Sequence, residues 1–196
     1  MAKFQKGYRE YLLCQQCEQA FCAYERPFAA FWRDKVLSKA PFAVDQGFEV
    51  HGAEYHSTKM FLLSVFWRAA VSELFGQVVE FGPFAEKLRT ILLENRRVPQ
   101  SKYPLMGILI LDDAGKPFHG CVTQPFKNRS DGLQEYAMQF GGCEWTLILS
   151  DEPLPKDIDL LQHVVGENGT IYLVTQHHSA NRFLSMMGRR MRPDDQ

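Results

Sequence analysis

Apolar residues recur at three- and four-residue steps through much of the first hundred positions. Leu13, Cys17, Phe21, Tyr24, Phe28, Phe31 and Trp32 fall on one stripe, which predicts an amphipathic helix from about Leu13 to Val36. Pro27 has no amide proton for the helix ladder, so that helix is expected to end or kink near Arg26. After a loop holding Pro41 and Gly47, Ser57 reads as the N-cap of a second helix. Its stripe is Met60, Leu63, Trp67, Ala70, Val71 and Leu74, and it stops near Gly76. Gly82-Pro83 opens a third helix with Pro at its first position, Glu86 in its first turn and Arg96 and Arg97 at its end.

Beyond residue 100 the period shortens. Leu105 to Leu111, Cys121 to Phe126, Leu133 to Phe140, Trp145 to Ser150 and Thr170 to Thr175 are short runs rich in aromatic and branched residues. Turn signals separate them: Asp113-Ala114-Gly115-Lys116, Ser130-Asp131-Gly132, Gly141-Gly142 and Glu167-Asn168-Gly169. An antiparallel meander of four or five strands is the expectation, with a last short helix from His178 to Met187. With no repeat and no low-complexity linker, the reading is one α+β domain over residues 1–196. About three helices, in roughly 1–100, pack on a sheet in roughly 101–196.

Composition narrows the function classes. The 196 residues are 45% hydrophobic and 23% charged, which excludes a disordered tail and a collagen-like repeat. Lys and Arg number 22 against 23 Asp and Glu, so no global field points to nucleic acid or to an acidic membrane. The longest apolar run, Met60 to Ala70, is broken by Ser64 and Arg68 and falls short of a membrane span. The first seven residues lack the apolar core of a signal peptide, and a cytoplasmic protein without a membrane partner is expected. An odd count of five Cys favours reduced thiols or a metal site over a disulfide scaffold.

The most specific local feature is Leu12-Leu13-Cys14-Gln15-Gln16-Cys17-Glu18. Two thiolates three positions apart hold one face of a tetrahedral zinc ion, and a knuckle of that kind needs further ligands. Cys22, His51 and His56 are the candidates to complete it, while two free Cys packed on a helix is the plain alternative. A Cys-x-x-Cys after a short strand also resembles a redox dithiol, but the alternating strands and helices of that fold do not follow. Arg68, inside the most apolar helix, calls for a partner, and Glu73 or Glu86 would tie the second helix to the third. His177-His178 follow a strand end, where catalytic groups often sit. No hydrolase elbow and no phosphate-cradling loop is present. Basic residues cluster at Arg96-Arg97 with Lys102, at Lys127 with Arg129, and at Arg189-Arg190 with Arg192.

Three stretches carry a family likeness: Gly7-Tyr8-Arg9-Glu10-Tyr11-Leu12-Leu13-Cys14 with Cys17-Glu18 and Tyr24-Glu25; Phe61-Leu62-Leu63-Ser64 with Trp67-Arg68-Ala69; and Glu86-Lys87-Leu88-Arg89. Their order resembles a group of uncharacterised bacterial and phage-related proteins. In that group a Leu-Cys-x-x-Cys-Glu segment follows an N-terminal Cys/His region similar to HNH-type zinc modules. The resemblance covers mainly residues 7–90. It implies that Cys14 and Cys17 are half of a zinc site whose upstream Cys/His part has no match here, and so a chain that lacks the nuclease-like portion.

Two function classes follow. The first is a non-catalytic, inhibitor-type binding protein of a phage or other mobile element, docking on a protein or a protein–nucleic-acid complex. Arg96, Arg97, Arg189 and Arg190 would contact the acidic partner, zinc at Cys14 and Cys17 would be the one cofactor, and no catalytic residue is assigned. The second is a metal-dependent, nuclease-like enzyme in which His51 or His56 and Glu54 hold a divalent ion and activate water.

Overall fold

The computed structural model describes residues 12–73, 80–119, 122–130, 133–151 and 165–181. The first helix, α1, spans Gln15–Phe31 and continues through Pro27. A π-helical turn, Trp32–Val36, and a 3-10 turn, Leu37–Lys39, follow it. The predicted break at Arg26 is thus displaced by about a turn and a half of helix, because burial of Phe21, Tyr24, Phe28 and Trp32 on one face holds the helix across the proline. The second helix, α2, spans Tyr55–Val71. Its cap is Glu54, whose carboxylate accepts from the amides of His56 (3.2 Å) and Ser57 (2.7 Å), so Ser57 lies inside the helix and is not its cap. The third, α3, spans Pro83–Leu93 behind Gly82, as the Gly-Pro signal predicts.

Among the described residues there are six strands: β1 Gly47–His51, β2 Leu105–Leu111, β3 Phe126–Ser130, β4 Leu133–Phe140, β5 Cys143–Leu149 and β6 Thr170–His177. They form one sheet in the order β1-β6-β2-β5-β4-β3. Two features depart from the expected meander. Gly47–His51, read as loop, is an edge strand antiparallel to β6, and β6 runs parallel to β2. The sheet is therefore mixed and draws one strand from the helical half. The α+β class and the three preceding helices stand. The turn between β4 and β5 is legible: Phe140 pairs with Cys143 across Gly141-Gly142, both at positive φ (63° and 79°), the requirement of a two-residue I′ hairpin. The expected helix from His178 is a 3-10 turn over His178–Ala180, and its remainder lies outside the described residues.

Helices and sheet meet at an aromatic seam. Trp145, on β5 and fully buried, lies 5.2 Å from Trp32, 6.1 Å from Phe28 and 6.1 Å from Phe140, centroid to centroid. Trp32 Nε1 donates to the Gly141 carbonyl at 2.9 Å, which fastens the π turn to the β4–β5 hairpin. Next to this seam α2 is buried almost all round, with Met60, Leu62, Leu63 and Phe66 at zero exposure, as expected of a central helix. Arg68 reaches Glu25 on α1 at 3.1 Å, so it joins the second helix to the first; Glu86, one of its expected partners, binds Arg89 instead.

The most unusual core residue is Lys59. It is 1% exposed, and its Nζ donates to the Tyr103 carbonyl at 2.7 Å. Burial pushes its pKa down to about 7, against a smaller upward pull from Glu167. Between that value and the ordinary 10.5 the unfolded chain holds a proton that the folded chain lacks, so stability rises with pH through this window. The penalty is present in full below it. Urea midpoints measured from pH 7 to 10 are expected to show a gain, at most about 1.4 kcal/mol per pH unit for one proton, that Lys59→Met abolishes. Parallel curves for the two proteins would show that Lys59 keeps its charge in the fold.

Candidate metal centre

The parallel register of β2 and β6 places Leu111 opposite His177, so both strands end at the same level. Beyond Leu111 the chain turns at once. Asp112 Oδ1 accepts from the amides of Ala114 (2.9 Å) and Lys116 (2.8 Å), while Phe42 donates its amide to the Gly115 carbonyl. Asp112 is consumed by the turn, and Asp113 is left at its tip with its side chain 88% exposed. Consecutive residues of a strand point to opposite faces, but β6 passes into the 3-10 turn at His178. The bend brings the rings of His177 and His178 to the same side, centroids 4.4 Å apart.

The three side chains converge. Asp113 Oδ1 lies 3.0 Å from His177 Nε2 and 3.1 Å from His178 Nε2, and both imidazoles are about one-third exposed. Hydrogen bonds from His178, and then from His177, hold the Asp113 carboxyl below the usual carboxylate range, so it is an anion facing two imidazole nitrogens. The ring of His178 stacks on Phe118 at 5.6 Å, and His177 Nδ1 is 2.7 Å from Ser179 Oγ. Ser179, His177 and Asp113 have the composition of a hydrolase relay. Ser179, however, is exposed, and its own amide also points at Nδ1 (3.3 Å), so the contact is the cap of the turn.

A buried polar network fixes the turn from below. Asn181, 2% exposed, donates through Nδ2 to Glu144 Oε2 (2.8 Å) and to Gln176 Oε1 (3.3 Å), and its Oδ1 accepts from Gln139 Nε2 (2.8 Å). Gln139 is itself held by Thr123, whose Oγ1 accepts the Gln139 amide at 2.9 Å. The partners in this network come from β4, β5, β6 and the loop before β3, so Asn181, the residue that closes the turn after the two histidines, is tied to three strands of the sheet.

Other residues singled out from sequence are placed differently. Glu54 is occupied as the cap of α2, His56 Nε2 contacts Asn95 Oδ1 at 2.6 Å, and His51 contacts Thr170 on β6 and Glu49 on its own strand. These three do not converge on an ion. Cys14 and Cys17 lie together at the start of α1, Sγ to Sγ 3.4 Å, and among the described residues no third ligand joins them. Arg96 pairs with Glu94 and Arg97 lies over the Tyr55 ring at 5.6 Å, both in the segment after α3. Arg189 and Arg190 lie outside the described residues. Among the described residues, Asp113, His177 and His178 are the one group with three ligand atoms close enough to share an ion. The strand-end histidines were visible in the sequence, whereas Asp113 read only as part of a turn.

No protein-family model, curated protein or solved structure matches the chain.

Asn181→Ala removes a buried amide from a satisfied network and is expected to cost about 1–3 kcal/mol in denaturant titrations. Asp113→Ala, at the exposed tip where solvent screens the two histidine contacts, is expected to shift the midpoint far less than Asn181→Ala. A large loss of stability for Asp113→Ala would make the cluster a structural tie.

Proposed function

We propose that this protein binds a divalent transition-metal ion through Asp113, His177 and His178, and that the open side of that ion is where it acts on water. One observation carries the reading: a single carboxylate oxygen within 3.0 and 3.1 Å of two imidazole Nε2 atoms at the converging ends of two parallel strands. Ligand atoms on a tetrahedral ion with bonds near 2.0–2.1 Å stand about 3.3–3.4 Å apart, so an ion would need Asp113 to part from each imidazole by only a few tenths of an ångström, and all three ligand atoms lie within 4.8 Å of one another. Ligation through Nε2 would put the His177 proton on Nδ1, which would then donate to Ser179 Oγ in place of accepting the Ser179 amide, an outer contact of the kind that orients ligating histidines.

Two imidazoles and a carboxylate suit zinc, manganese or iron(II), and three protein ligands leave at least one position for water. A bound ion there would acidify that water and polarise an ester or phosphoester oxygen. Asp113 and the two imidazoles would hold the ion, and Phe118 would limit the movement of His178. The metal-dependent, nuclease-like reading from sequence thus keeps its chemistry and changes its residues, from His51, His56 and Glu54 to the sheet end. For the docking reading the support is the two exposed arginines, Arg96 and Arg97. The exposed large apolar residues, Val44, Val71, Leu93, Val122 and Val174, are spread over separate segments.

Calorimetric titration of chelator-treated protein with zinc and with manganese tests the proposal. A Cys14→Ser/Cys17→Ser background keeps thiol-bound zinc out of the measurement. One ion per chain is expected, with zinc tighter than manganese. His177→Ala, His178→Ala and Asp113→Ala are each expected to weaken it at least about tenfold. Stoichiometric binding untouched by all three variants, or no binding, would overturn it.

A further inference from the structure

The dithiol at the start of α1 is a separate chemical feature. Cys14 is the residue before the first turn and Cys17 the third residue within it, and their Sγ atoms share a hydrogen bond at 3.4 Å. Cys14 is exposed and Cys17 half-buried. A disulfide of roughly 2.05 Å would need the two sulfurs to approach by about 1.4 Å from this contact. The buried Cys143 lacks that access, its thiol pushed well up by burial and by Glu144.

The surroundings differentiate the two sulfurs. The first-turn amides, that of Cys17 foremost, and the Cys17 thiol lower the Cys14 pKa, whereas the contact with Cys14 raises that of Cys17. Arg89 on α3 adds a positive field at Cys17. On the neighbouring part of α1 lies a cleft of about 370 Å³, lined by Leu12, Leu13, Glu18, Phe21, Cys22 and the Arg68–Glu25 ion pair; it includes chain neighbours of the pair but neither Cys14 nor Cys17.

We infer that Cys14 and Cys17 form a redox-active dithiol that exchanges with disulfides. The Cys14 thiolate attacks one sulfur of a disulfide R–S–S–R, forms a Cys14–S–S–R mixed disulfide and releases the first RS⁻. Cys17 then gives up its proton and attacks Cys14 Sγ, which forms the Cys14–Cys17 disulfide and expels the second RS⁻. The protein loses two electrons, R–S–S–R gains them, and the two cysteine protons end on the two released thiolates. The pair's geometry needs only the start of one helix.

The experiment uses the full chain with a chelator present and glutathione disulfide as the probe, free thiols being trapped by alkylation and read by mass spectrometry. A disulfide between Cys14 and Cys17 is expected, and it should persist in Cys22→Ser. In Cys17→Ser, glutathione should remain on Cys14 and accumulate at least about tenfold faster than on Cys22. In Cys14→Ser, modification of Cys17 should fall to the Cys22 rate. A pair that stays reduced at a glutathione potential that oxidises ordinary exposed dithiols, or a Cys14 no faster than Cys22, would overturn the inference.

Discussion

The parallel pairing of β2 with β6 is the constraint on which the candidate centre depends. It is the one parallel contact in the sheet, and it brings together segments more than sixty residues apart in sequence. Because both strands run the same way, both end at the same edge. Asp113 stands two residues past the end of β2, and His177 is the last residue of β6. An antiparallel pairing would have put the end of β6 beside the start of β2 and left the aspartate and the histidines at opposite rims. Ligand sites outside the carboxyl ends of parallel strands are a recurrent consequence of this geometry, and here two strands suffice to produce it.

The register can hold only because the sheet is anchored elsewhere. Trp145 and Trp32 lock the helical layer on β5 through the aromatic seam, and the Trp32 hydrogen bond to Gly141 ties the same layer to the hairpin. Thr175 secures the other side: its Oγ1 donates to the Ala43 carbonyl at 2.7 Å and accepts the Gln46 amide at 2.8 Å, which draws the segment before β1 on to β6. Apolar burial fixes which face of the sheet meets the helices, and these directional contacts fix how far each strand slides. Lys59 shows the cost of such a layout. Its ammonium is taken out of water to meet one carbonyl, and burial answers by making the neutral amine accessible near pH 7.

Local signals carried most of the elements into the sequence reading, and non-local ones did not. The Gly82-Pro83 start of α3, the stripe of α1 and the glycine pair between β4 and β5 announce themselves because the physics is confined to a few residues. β1 is missed because the alternation of Phe48 and Val50 is too short to mark a strand by itself, and Gly47–His51 becomes one by pairing with β6, more than a hundred residues away. The same reason hides the site. His177-His178 at a strand end was legible, but nothing in Asp112-Asp113 tells which aspartate folds back on the turn and which is left free. That division is made by the amides of Ala114 and Lys116. The partner of Arg68 was missed likewise, since Glu25 is brought to it by helix packing.

Metal softness separates the two chemistries. Thiolates favour soft and borderline ions, whereas a carboxylate with two imidazoles also accepts harder ones such as manganese and iron(II). Zinc is the ion for which both would compete, and it would occupy the same sulfur lone pairs that disulfide exchange requires. A dithiol that stays redox-active must therefore hold zinc weakly, and two sulfurs without a third ligand among the described residues meet that condition. The distribution of ligands thus argues for a division of labour: the incomplete thiol pair is left for electrons, and the three-ligand cluster at the sheet end is left for the ion.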